Sequence, residues 1–216
     1  MKSALRAVSA FFSLIFCSLA FATDFYWVGK DSDSGNWSKQ ANWSLSEDGT
    51  VSAGSYPQKD DTAIFSSEAT ITTGASCGSI KSSSSLTFQK TLTVSSGDLT
   101  VSDSLSTGGK VEISSGNLTV GKEFSYSGDV NVSGDVSVKS SVTAAANITA
   151  NSIVFEGNVT VNDNVTFAAS SVNFNGTLNS GASGAEKNVV INGDAIFGGS
   201  VGESVPLNSL TVNGKS

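Results

Sequence analysis

The chain has 216 residues and a formal net charge of −7, a length that suits one domain with at most a short additional region. Ser, Gly, Thr and Asn, at 41, 22, 18 and 16 copies, make up 97 of the residues, whereas charged residues reach only 14%. Histidine is absent and the only arginine is Arg6, which removes the usual residues of a His general base, a His-ligated metal, an arginine clamp on phosphate and a basic nucleic-acid footprint.

Lys2 and Arg6 precede an apolar run over residues 7–19, and Ala20, Phe21 and Ala22 give a small-x-small cleavage motif. This is the pattern of a Sec signal peptide over residues 1–22, cut after Ala22. The run is shorter than the roughly 20 residues that span a bilayer, and Ile15 and Phe16 are too bulky to precede a lipoprotein cysteine at Cys17. Loss of the leader removes two cations and no acid, so the exported chain carries a net charge of −9. An acidic surface of this kind points away from nucleic acid and anionic membrane. Cys77 is then the only cysteine, so no intrachain disulfide forms in an oxidising compartment. It reads as a small buried hydrophobe.

Residues 23–65 stand apart. Trp27, Trp37 and Trp43, all the tryptophans of the chain, lie here with Phe25, Tyr26 and Tyr56, and the phrase NWS occurs at Asn36–Ser38 and again at Asn42–Ser44. One reading makes Trp27, Trp37 and Trp43 a platform on which a sugar ring stacks. The other, which carries more weight, makes them the apolar plug that a solenoid needs over its first coil.

From residue 66 to residue 216 the sequence is repetitive. SGDLTV, SGNLTV, SGDVNV, SGDVSV, EGNVTV and NDNVTF recur at steps of about six residues, and taking every third apolar pair gives three columns with steps of 17–19 residues. The first is Leu86/Phe88, Leu105/Thr107, Phe124/Tyr126, Val142/Ala144 and Val159/Val161. The second is Leu92/Val94, Val111/Ile113, Val130/Val132, Ile148/Ala150 and Val165/Phe167, and the third is Leu99/Val101, Leu118/Val120, Val136/Val138, Ile153/Phe155 and Val172/Phe174. Side chains two apart in a strand point the same way, so each pair faces inward, with Thr, Ser or Asn between them facing out. Strands this short hold only when coils stack like on like, and Gly, Asp and Asn before each pair suit the corners.

The columns predict an all-β, three-faced parallel β-helix, right-handed by the general preference of parallel crossovers. A six-residue step leaves no room for the 8–12-residue strand spacing of a sandwich, and no helical apolar stripe persists. Ile80 and residues 60–65 extend the pattern backward. Residues 180–187 read as a loop at a corner, after which Val189/Ile191, Ala195/Phe197 and Leu210/Val212 resume it. Nine to ten coils at about 4.8 Å each give a rod of roughly 45 Å. Without a distinct cap around Gly214–Ser216, the expectation is either a longer parent protein or a second chain over that end.

The order FYWVG, SGNWS, ANWS and YPQKDDTAIF, followed by ATITTG, SLTF and LTV repeats, resembles exported bacterial parallel β-helix proteins of the autotransporter passenger and adhesin type. That resemblance implies a cell-surface or outer-membrane location, or secretion, and a structural or adhesive role toward a host or environmental glycan or a surface protein. The outer-membrane barrel that ends many such proteins has no counterpart in the alternating pattern of this chain.

Some β-helices cleave polysaccharides with paired carboxylates. Asp98, Asp129, Asp135, Asp163 and Asp194 are the candidates, and all fall at Gly- or Asn-rich corners where a solvated turn residue is the simpler account. A lyase would also want a cation to neutralise a substrate carboxylate, and Lys is sparse. The nonapeptide calcium repeat is missing, and eight N-x-S/T sequons arise from the repeat itself. The reading is therefore a non-catalytic structural or adhesive segment with no catalytic residue, cofactor or metal, no nucleic-acid partner and no membrane insertion after cleavage. The alternative is a carbohydrate-binding or polysaccharide-cleaving β-helix.

Overall fold

Triplets such as Leu99–Val101, Val130–Val132 and Val136–Val138 form strands of three residues, the outer two side chains buried and the middle one partly exposed. The computed structural model describes residues 22–30, 32 and 35–215; residues 1–21 of the leader, with Ala20 of its cleavage motif, lie outside the described residues. Ala22 is the first described residue and is exposed. The strands stack in parallel as a β-solenoid of about eight turns, and among the described residues helix is confined to the 3-10 turn Gln40–Asn42.

The first face is a seven-stranded parallel sheet. Leu86, Leu105, Phe124, Val142, Val159 and Leu178 follow one another in register, with Ala69 before them. The third face runs from Ala63 through Ile80, Leu99, Leu118, Val136, Ile153 and Val172 to Ala195. The second runs from Ala75 through Leu92, Val111 and Val130 to Ile148. These pairings reproduce the columns read from the sequence, and the inward residues fill one continuous core along the rod.

Three features differ from the sequence reading. Ile148 pairs with Phe167 instead of Val165. The two registers differ by two residues and so keep the same side chains inward; the observed one gathers Phe155, Phe167 and Phe174 with ring centroids 5.5–5.6 Å apart. The second and third faces also merge near the end of the rod. Val165–Phe174 and Asn188–Phe197 are ten-residue strands that cross the corner without stopping, which fuses both faces into one 16-stranded sheet. Earlier coils break here, at SSGD, SSGN, SGD and then Ala150–Asn151, whereas Ala168–Ser171 and Asn192–Asp194 stay within their strands. The turn count is about eight instead of nine to ten, because residues 181–187 and 198–208 are spent mostly in loops. At about 4.8 Å per coil, the rod is roughly 38 Å long.

Corners approach each other closely. Gly116 has φ 143°, and a Cβ on it would run into the carbonyl of Gly97 in the coil below, so this position needs glycine for both conformation and space.

Val136 is fully buried between Leu118 and Ile153 of the third face. Val136→Asp places a carboxylate where no partner reaches it, and the expected loss exceeds about 4 kcal/mol. Urea or thermal unfolding followed by circular dichroism measures it, and parent-like stability would show that this column is not interior.

Candidate functional site

The cap is built on the third face. Asp24–Trp27 pairs in parallel with Thr62–Phe65 and antiparallel with Trp43–Ser44, so the first parallel edge ends against a strand of opposite direction. The two NWS phrases then bond to one another. Trp43 Nε1 donates to the Trp37 carbonyl at 2.7 Å, Asn42 Nδ2 donates to the Asn36 carbonyl at 3.0 Å, and the Ser38 amide donates to Asn36 Oδ1 at 3.0 Å. Trp37 and Trp43 stand 4.8 Å apart edge to face, Trp27 and Trp43 4.9 Å apart, and Trp27 packs on Phe65 at 5.7 Å.

Trp37 and Trp43 are each 2% exposed, and Trp27 is half-buried against the same core. The rings expected to serve as plug or as sugar platform are therefore packed on each other and on the first coil. Edge-to-face pairs at these distances each add about 0.5–1.5 kcal/mol beyond burial, and such a cluster closes the end that a solenoid would otherwise leave open.

Beside the plug lies an open groove of about 620 Å³ over the second face. Trp37 forms one wall and Tyr56, Gln58 and Lys59 form the other, with Ser76 and Thr93 on its floor. Its walls are tied down. The Trp37 amide donates to Thr73 Oγ1 and the Thr72 amide to the Gly35 carbonyl. Asp61 accepts the Gln58 amide at 2.8 Å through one carboxylate oxygen and the Thr23 amide at 3.0 Å through the other. Sequence reasoning passed over Gln58 and Lys59; the only signal was YPQKDD between the aromatic region and the first coil.

The corner carboxylates are used within the rod. Asp98 Oδ1 accepts the backbone amide and Nδ2 of Asn117, Asn117 Oδ1 accepts the Asp135 amide, and Asp135 Oδ1 accepts Asn151 Nδ2 and Ser152 Oγ. Asp129 receives the amide and Nδ2 of Asn147, Asp163 caps the Asn164 amide, and Asp194 receives the Lys215 amide. Alternation of Asp with Asn up one corner matters, because Asn donates downward and accepts from above while no two carboxylates stack directly. Asn117 and Asn147, both within sequons, thus have their amide nitrogens engaged, and Asn42 is wholly buried.

Burial pushes the Cys77 thiol up to about 12, the opposite of an activated nucleophile. Among the described residues, no group of three or more His, Cys, Asp or Glu is placed to hold a metal, and no helix is long and apolar enough to cross a membrane. No family model, curated protein or solved structure matches the chain.

Hydrogen bonds from Asn151 and Ser152 hold the Asp135 carboxyl below its ordinary range, and a hydrogen bond from Lys122 at 2.7 Å, helped by Ser85, does the same for Asp103. A carboxyl with a depressed folded value stabilises the fold fully above its unfolded value and loses that stabilisation as pH falls through the folded one. The melting temperature should therefore change little between pH 7 and 5 and fall progressively below about pH 3.9. Thermal melts across this range check it, and Asp135→Asn should flatten part of the acid limb. A flat profile down to pH 2 would contradict the ladder's electrostatic role.

Proposed function

We propose that the chain is an exported structural or adhesive β-helix segment of the autotransporter-passenger kind, displayed at the cell surface or released, and non-catalytic. The observation that carries the reading is the use of the acids. Asp98, Asp129, Asp135 and Asp194, which a hydrolase would direct at substrate, instead accept hydrogen bonds from the next coil. Such corners stiffen a rod. Its first face meanwhile presents Thr70, Thr87, Ser106, Ser125, Thr143 and Thr160 outward in register. A stiff, acidic, hydroxyl-covered rod suits a spacer or contact surface outside a cell, and the basic, apolar, small-residue order of residues 1–22 supports export. The partner class remains a glycan or a surface protein.

Production of the full chain in a Gram-negative host tests this, with mass spectrometry of the amino terminus and protease treatment of intact cells. The expected product begins at Thr23 and is found in the medium or exposed to protease on the cell. An unprocessed chain retained in the cytoplasm would overturn the reading.

A further inference from the structure

The groove beside the aromatic plug has the chemistry of a binding site. Trp37 forms part of its wall. The rest of the lining divides into two kinds. Tyr56 and Pro57 supply flat apolar surface, whereas Gln58, Ser76 and Thr93 supply an amide and two hydroxyls at close quarters.

Charge narrows the ligand further. In a chain of net charge −7, this groove is lined by Lys59 and by no carboxylate. Lys59 is exposed and makes no ion pair among the described residues, unlike Lys110, Lys122 and Lys139. The groove's volume of about 620 Å³ lies within the range of small-molecule sites. Its second wall, Tyr56–Lys59, is held in place without the ligand, because Asp61 fixes the Gln58 amide and the Ser96 hydroxyl donates to the Lys59 carbonyl.

We infer that this groove binds a short saccharide bearing a carboxylate. The apolar face of a sugar ring lies against Tyr56, its hydroxyls bond Gln58, Ser76 and Thr93, and its carboxylate pairs with Lys59. The site lies over the first rungs of the second face, beside the plug, and the inference does not depend on where the protein is exported.

Titration of the purified chain with digalacturonate, and separately with neutral lactose, tests the assignment by tryptophan fluorescence and calorimetry. All three tryptophans belong to the cap, so the optical signal is local. Digalacturonate is expected to bind saturably and about fivefold more tightly than lactose, the discrimination that one exposed ion pair supplies. Lys59→Gln should erase that preference and leave lactose binding unchanged, while Tyr56→Ala should weaken both sugars. Lys122→Gln, on a distant coil, should change neither. Circular dichroism shows that each variant is folded. No saturable binding by the folded parent, a preference that survives Lys59→Gln, or an equal loss in Lys122→Gln would each overturn the proposal.

Discussion

A strand of three residues buries two side chains and forms too few hydrogen bonds to persist alone, so every other feature of this protein follows from the need to stack such strands in register. Each inward pair is covered by the pair above and below it, as Leu118 and Val120 lie between Leu99/Val101 and Val136/Val138. Full burial of an aliphatic or aromatic side chain stabilises by roughly 1.5–3 kcal/mol, and each coil contributes several. The cost is that one displaced coil uncovers its neighbours. Outward positions escape this constraint, which is why Thr, Ser and Asn fill them and leave a polar rod.

The two ends of the stack show what the constraint demands. At the first coil, Asp24–Trp27 adds a last parallel rung, Trp43–Ser44 reverses direction, and three indoles cover Phe65. Further along, Ser209–Val212 pairs among the described residues only with Asn188–Phe197, and Leu210 is 37% exposed, against complete burial of Val189 beneath it. An inward side chain therefore owes its burial to the rung above. The plug supplies that cover with aromatic mass in place of another coil, and the loops that hold it also create the groove at its side.

Much of this was legible because the repeat carries its own register. A two-residue side-chain period fixes which of Leu99, Thr100 and Val101 face inward, and a 17–19-residue step fixes what they stack on. At Ile148 two registers satisfy the same rule. Val165 and Phe167 both point inward, so parity alone could not choose which of them covers Ile148; ring packing with Phe155 and Phe174 distinguishes the observed arrangement. Merging of two faces was also hidden, since the corner at Asn192–Asp194 carries the same Gly-Asp pair as the broken corners and still runs through as strand.

The corners and the groove were less readable for a different reason. Asp98, Asn117 and Asp135 look like ordinary turn residues one coil at a time, and their cooperation exists only across coils. Likewise, Trp37, Lys59 and Thr93 are far apart in sequence and meet only when residues 35–38 and 56–59 dock on the first two coils. Polar atoms inside the core tell a similar story. Thr107 and Tyr126 occupy stacked inward positions of the first face, and their hydroxyls find no partner among the described residues, so the volume of these side chains has been placed inside at the expense of their polar ends.

In-register stacking is tested most directly by distances between spin labels along the first face. One label at Thr70 is paired in turn with a second at Ser125, Thr160 or Asn179, in a chain lacking Cys17 and Cys77; these positions lie successively farther along one ladder. The stacked rod predicts separations that grow by about 4.8 Å per coil, reaching roughly 14, 24 and 29 Å. Distances that do not rise in this order, or that rise without a constant step per coil, would contradict the parallel stack on which the whole account rests.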